Sequence, residues 1–174
     1  MRRQTTLRCL AASAAFLALA ACLPPPGAAA ASPTRSWYFA EGSTDWGFEE
    51  YVCVQNPAPE DATVRLTYMF PDGRDQAAGL PFTVKPYSRA TVNIAEAAPR
   101  SDVSVKVESN REVVCERSMY WGGRVEGHNS VGITVPGRTW YLAEGCTDYG
   151  FEEYLCLQNP TARDAAVKRT YNTP

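Results

Sequence analysis

The sequence has little histidine and lacks the common motifs of enzyme active sites. Its single histidine, His128, lies beside Ser130 in the string GHNSVG. No GxSxG, HExxH, P-loop or dinucleotide-binding fingerprint occurs in it. A histidine next to a serine in sequence is rarely placed as its base in space. We therefore expect no enzyme and no catalytic residues, and interpret His128 as a residue that stabilises a loop.

Long apolar runs are also scarce, apart from one at the start of the chain. Arg2, Arg3 and Arg8 precede an apolar run from Cys9 to Leu23, which Pro24 to Pro26 then break. The run is too short to span a membrane as a permanent helix. Residues 1–31 are therefore predicted to be a signal peptide, followed by a linker over residues 32–36.

Two processing routes fit this export signal. Ala28 to Ala31 provides the small residues that an ordinary signal peptidase recognises, whereas Leu19 to Cys22 resembles a bacterial lipobox. In the second case Cys22 is the lipidation site. Both routes predict an extracellular or cell-surface protein, with membrane contact only through such an anchor.

Excess positive charge is missing from the exported part. The whole chain has a net charge of −2, and removing the three arginines of the signal brings it to −5. No basic patch occurs to bind nucleic acid. The expected partners are therefore cell-wall polysaccharide or other surface proteins.

What the sequence does have is a repeat. WYFAEGSTDWGFEEYVCVQNP begins at Trp37 and WYLAEGCTDYGFEEYLCLQNP begins at Trp140, which gives a period of 103 residues. Roughly two-thirds of the positions are identical between 37–71 and 140–174. We therefore predict one complete repeat over residues 37–139, called copy one, and an incomplete repeat over residues 140–174, called copy two.

Short alternating segments separated by turns predict an all-β fold. In Thr63 to Phe70, for example, Val64, Leu66, Tyr68 and Phe70 share one face. The predicted strands are 36–40, 51–55, 63–70, 80–84, 90–94, 102–108, 112–121 and 131–135, with 102–108 and 112–121 joined as a hairpin. We expect an immunoglobulin-like antiparallel β-sandwich, plus the first strands of a second repeat.

Copy two departs from copy one on the predicted inward face of its third strand. Leu66 is replaced by Arg169, and Phe70 by Thr173. A buried arginine is costly unless it is paired. We therefore expect that copy two cannot build the same core alone.

Four cysteines follow the signal region, in a compartment where pairing is the default. Cys53 and Cys115 are predicted to form a disulfide between two strands. Cys146 and Cys156 are a second possible pair. The neighbouring residues Glu116 and Arg117 are expected to form a structural ion pair.

Acidic and aromatic residues are the candidate ligand contacts. Glu41, Asp45, Glu49 and Glu50 recur in copy two and are candidate Ca²⁺ ligands, although their spacing fits no standard calcium loop. The more ordinary interpretation is that these acids accept loop hydrogen bonds and that no cofactor is bound.

The aromatic residues allow two interpretations as well. Trp46, Tyr120 and Trp121 are candidate contacts for a sugar ring, while most of the other rings are expected to fill the core.

The strings WYFAEG, GFEEY, QNP, CERSMYW and GHNSVG resemble a repeat domain of unknown function from exported actinobacterial and related Gram-positive proteins. That resemblance implies a non-catalytic β-sandwich displayed at the cell surface, and it supplies no ligand. We expect a structural or adhesion module. The alternatives are a cell-wall carbohydrate-binding module and an accessory fragment of an exported hydrolase.

Overall fold

The computed structural model describes residues 34–74 and 76–172, all within one compact unit, Ser32–Pro174. The predicted signal peptide and Cys22 lie outside the described residues. In the described part, no helix is long and apolar enough to cross a membrane. The strands there are β1 (Thr34–Phe39), β2 (Glu49–Asn56), β3 (Ala62–Met69), β4 (Ala77–Ala78), β5 (Phe82–Val84), β6 (Ser88–Asn93), β7 (Ser104–Trp121) and β8 (Glu126–Val131).

Strand β7 connects the two layers of an antiparallel β-sandwich. Its first half pairs with β1 on one side and β3 on the other, and β3 continues to β4 and β5. Its second half pairs with β2 and β8, and β2 continues to β6. The strands thus form a single hydrogen-bonded sheet that supplies both layers. The predicted all-β, antiparallel fold is confirmed.

The layers enclose one apolar core made by the alternating residues of their strands. Leu66 on β3 and Trp37 on β1 both lie opposite Val107 on β7, so the three side chains form a row across the layer. Trp37 is 1% exposed, and its indole Nε1 donates a hydrogen bond to the backbone oxygen of Val113 at 3.0 Å. This tryptophan anchors β1 to the central strand through both packing and a buried hydrogen bond.

The predicted hairpin over residues 102–121 is wrong. Both halves belong to β7, an uninterrupted strand of 18 residues. The buried residues Val105, Val107, Val113 and Cys115 all have odd numbers, so the alternation keeps one phase through Ser109 and Asn110. A continuous phase is what a single strand requires, whereas Ser-Asn suggested a turn from composition alone.

The predicted strands do not include β8 and place a strand over 131–135 instead. All six residues of β8 are exposed, and it pairs with β7 along one side. With no buried face, such a strand carries no alternation of apolar and polar residues. Periodicity therefore could not reveal it.

Copy two forms no strand over the described residues 140–172, which differs from the expected first strands of a second repeat. In copy one, the strands equivalent to this segment are held by β7. No strand of that kind pairs with copy two within the described part of the chain. A strand needs a partner for its backbone groups, whatever its own propensity.

The cysteine prediction is also corrected. Cys53, Cys115, Cys146 and Cys156 are free thiols. Cys53 lies opposite Glu116, whereas Cys115 lies opposite Val54, so the two side chains point to opposite faces of the same layer. Adjacent strands with this register cannot form the predicted Cys53–Cys115 disulfide without a backbone shift.

Candidate functional site

Four sequence motifs meet at one end of the layer formed by β2, β7 and β8. WYFAEG supplies Glu41, GFEEY supplies Glu50, CERSMYW supplies Arg117 and GHNSVG supplies His128. The register explains the meeting, because Met119 on β7 lies opposite both Glu50 and His128. Arg117 lies two residues earlier on the same face of β7. We call Glu41, Glu50, Arg117 and His128 the end cluster.

Arg117 is the positively charged centre of the end cluster and is only 2% exposed. Its Nη1 donates to the backbone oxygen of Glu41 at 3.0 Å, and both Nη atoms lie 3.2 Å from Glu41 Oε2. His128 completes the group: its Nδ1 lies 3.5 Å from Arg117 Nη2, and its Nε2 lies 3.8 Å from Glu41 Oε2. A buried guanidinium needs such partners. Arg117 thereby fixes the chain between β1 and β2.

Glu50 is fully buried, and neither of its carboxylate oxygens has a hydrogen-bond partner among the described residues. Burial raises its pKa to about 8, the charge of Arg117 opposes that increase, and the charge of Glu41 adds to it. The carboxyl group lies directly against Gly42, where a Cβ would collide with it and would come within 2.5 Å of the backbone oxygen of Val103. The glycine is required by this close approach.

Glu41, Glu50 and His128 are candidates from the sequence, whereas Arg117 is expected there only as the ion-pair partner of Glu116. That pairing is wrong, because successive residues of a strand point to opposite faces. The signal for Arg117 was present: it shares its alternation phase with Val113, Cys115 and Met119, which are buried. A charged residue on a buried face is unusual and is a reason to look for partners.

The three candidate sugar-binding aromatics lie on different surfaces. Trp121 faces the same side as the end cluster, 5.6 Å from the ring of Phe48 and 5.8 Å from that of His128. Tyr120 lies on the opposite face of β7, with its ring 6.2 Å from that of Tyr51. Trp46 is 81% exposed in the preceding loop, at a positive φ of 57°. Only Trp121 belongs to the end cluster's surface.

The four candidate calcium ligands do not converge. Glu41 pairs with Arg117. The carboxylate of Asp45 accepts a hydrogen bond from the Trp46 amide. Glu49 forms an exposed ion pair with Arg124 at 2.6 Å, and this ion pair lowers the pKa of Glu49. Across the described residues, no three His, Cys, Asp or Glu side chains are grouped so as to hold a metal ion.

A cavity of about 540 Å³ adjoins the end cluster. Glu41, Arg117 and Ser130 of copy one line one side of it. Copy two provides the other side, mainly through residues of its predicted first and second strands: Trp140, Leu142, Glu144, Glu153, Leu155 and Leu157. The cavity thus separates the two copies at the point where both carry the same acidic motif.

A protein-family model matches residues 26–115, just over half of the chain. The chain belongs to a family of unknown function, DUF5719. The match ends before Arg117 and His128, so it covers the acidic half of the end cluster alone. No curated protein matches the chain.

The chain is similar to several solved structures, of which two follow. The first is the crystal structure of Thermotoga maritima 1070, with 22% sequence identity, a TM-score of 0.53, and coverage of 60% of this chain and 97% of that one. The second is the Anabaena sensory rhodopsin transducer, with 26% identity, a TM-score of 0.42, and coverage of 48% of this chain and 93% of that one. The Thermotoga protein therefore shares the fold of this DUF5719 chain.

Proposed function

We propose that this chain is an exported or surface-anchored, non-catalytic binding module whose ligand is a neutral polysaccharide of the cell wall. The observation that carries the proposal is the exposed edge of the end cluster. There, the partly exposed carboxylate of Glu41 lies 3.8 Å from the imidazole of His128, whose ring lies 5.8 Å from that of Trp121. Sugar hydroxyls can donate to the Glu41 carboxylate and exchange hydrogen bonds with the His128 imidazole, while the apolar face of a sugar ring stacks on the Trp121 ring.

The charge of the chain supports a neutral ligand. The exported part has a net charge of −5, which repels polyanions. Arg117 does not alter this expectation, because its charge is already paired with Glu41 and its side chain is 2% exposed.

The positions of the carboxylates support binding without catalysis. Glycoside hydrolysis needs two carboxyl groups that both reach the scissile bond. Glu50 is fully buried, so of the two acids in the end cluster only Glu41 reaches the surface. A module of this kind would act as an adhesion element, and the family resemblance implies its display at the cell surface.

The test is retention of the purified chain on insoluble cell wall and on a panel of neutral polysaccharides. Trp121→Ala should weaken binding roughly three- to tenfold, the loss expected for one aromatic stacking contact. Trp46→Ala and Tyr120→Ala are matched controls, because they remove aromatic rings on other surfaces. Equal binding by wild type and Trp121→Ala would refute the assignment of the site. Absence of retention on every polymer would refute the ligand class.

A further inference from the structure

Copy two has the local conformation of copy one although it forms no strands. Trp46 and its equivalent Tyr149 have φ values of 57° and 55°, and the glycines that follow them have 84° and 83°. Asp45 and Asp148 each accept a hydrogen bond from the next residue's amide, at 2.9 Å and 2.8 Å. The loop before the second strand is therefore already shaped as in the complete repeat.

The turn after the second strand is reproduced as well. The side-chain amide of Asn56 donates to the Glu60 backbone oxygen at 2.7 Å, and that of Asn159 donates to the Arg163 oxygen at 2.6 Å. These shared bonds are all local. What copy two does not reproduce is pairing between strands.

The difference between the copies lies in what covers their apolar faces. Trp37 is 1% exposed and its equivalent Trp140 is 55% exposed. Val52 is fully buried, whereas its equivalent Leu155 is 42% exposed. The same contrast holds for three further pairs: Phe39 and Leu142, Val54 and Leu157, and Val64 and Val167. In copy one, these residues lie on β1, β2 and β3, each of which pairs with β7.

The acidic residues of copy two lack a basic partner too. Glu144 and Glu153 are the equivalents of Glu41 and Glu50, which surround Arg117 in copy one. Neither forms an ion pair within the residues that the structure describes. Both line the 540 Å³ cavity together with Trp140, Leu155 and Leu157. The open side of copy two is thus apolar along its length and acidic at one end.

We propose that residues 140–172 form an acceptor for a β-hairpin of the β7–β8 type. Two features define this partner: alternating apolar residues on one face, and an arginine at the position of Arg117 to meet Glu144 and Glu153. Among the described residues there are two segments of the acceptor type, 37–69 and 140–172, and one β7, whose pairing partners β1, β2 and β3 all belong to copy one.

Arg169 sets a further requirement on the partner. It replaces Leu66, which lies opposite Val107 of β7. A hairpin with an acid at that position would pair with Arg169, whereas an acid there could not enter copy one, where Val107 is fully buried. The acceptor of copy two is thus expected to prefer a strand that copy one rejects.

The test uses the full chain and a synthetic peptide with the sequence of residues 101–131, in unmodified form and with Val107→Glu. Both peptides should bind with one-to-one stoichiometry, the Val107→Glu peptide at least as tightly. The fluorescence of Trp140 should shift to the blue as its ring is buried. A Trp140→Phe chain, which lacks this ring, should not show the shift. An Arg117→Glu peptide should bind at least tenfold more weakly, because its carboxylate would face Glu144 and Glu153.

Leu157→Asp in the chain should weaken peptide binding at least tenfold. It lies on the proposed contact face and is 55% exposed, so the change should not disturb folding. Lys168→Asp is the control, since its copy-one equivalent Arg65 points outward. Failure of both peptides to bind, or equal binding by Leu157→Asp and wild type, would overturn the proposal. The proposal would also be overturned if the unmodified peptide bound more tightly than the Val107→Glu peptide and displaced β7 from copy one.

Discussion

The buried Glu50 predicts a specific dependence of stability on pH. Burial raises its pKa to about 8 in the folded chain, against an ordinary value of 4.5. Between these two pH values the unfolded chain releases a proton that the folded chain retains. The free energy of unfolding should therefore fall as pH rises from about 4.5 to about 8. The contribution of Glu50 to the free energy of unfolding is fully present below that interval and lost above it.

The size of the effect follows from the shift. Each pKa unit corresponds to about 1.4 kcal/mol, so raising the pKa from 4.5 to about 8 makes the loss at most about 5 kcal/mol. This is a large fraction of the stability of a small domain. Glu50→Gln has nearly the same shape and cannot ionise, so it should remove this dependence.

The assay is guanidinium unfolding of wild type and Glu50→Gln at several values between pH 4 and pH 9. The informative quantity is how the difference in unfolding free energy between the two proteins changes with pH. That difference should move by several kcal/mol in favour of Glu50→Gln as pH rises. A buried glutamine amide without partners costs roughly 1–3 kcal/mol at every pH, so it shifts the curve without altering its slope.

Copy two supplies the control, because Glu153→Gln changes the equivalent but exposed residue and should alter neither stability nor its pH dependence. If wild type and Glu50→Gln lose stability in parallel as pH rises, the assignment of a buried, proton-retaining Glu50 is refuted. The same holds if Glu153→Gln shows the larger effect.

Two further predictions use the same comparison between copies. Trp37→Ala should lower the free energy of unfolding by about 3–5 kcal/mol, since it empties a fully buried site and breaks the bond to Val113, whereas Trp140→Ala should change it by less than about 0.5 kcal/mol. Gly42→Ala should cost roughly 1–3 kcal/mol, because its Cβ would meet the Val103 backbone oxygen, which cannot move aside. Gly145→Ala should be tolerated, since its contacts are with the mobile end of an exposed Glu153 side chain. Thermal and guanidinium unfolding measure all four variants, and equal costs within either pair would contradict the assigned burial.

Much of the fold could be predicted from the sequence, because apolar and polar residues alternate along most of its strands. The inward face of β3, from Val64 to Tyr68, was predicted residue by residue. The predicted hairpin was wrong because the turn-forming residue types were weighted above the continuing alternation of apolar and polar residues. Ser109 and Asn110 suggested a turn, although the alternation of buried residues continues through them along β7.

The end cluster was only half predictable. Glu41 and Glu50 attracted attention as acids in one loop, and His128 as the single histidine. Their meeting with Arg117 depends on β7 lying between β2 and β8, which brings together residues that are 76 positions apart in the chain. Periodicity reports which face a residue occupies, and gives no information about which strand lies beside it.

The two copies separate what is encoded locally from what is not. Residues 45–48 and their equivalents 148–151 share φ values and local hydrogen bonds in very different surroundings, so their aspartate caps and glycines are sufficient to shape this turn. Among the described residues, the flanking strands exist in copy one alone, where β7 satisfies their backbone groups and where Trp37 and Val52 are buried. Local sequence thus prepares the acceptor, and pairing with a central strand completes it. If a β7-type hairpin orders copy two, the new strands should appear at the positions of β1 and β2 while the loop between them stays unchanged.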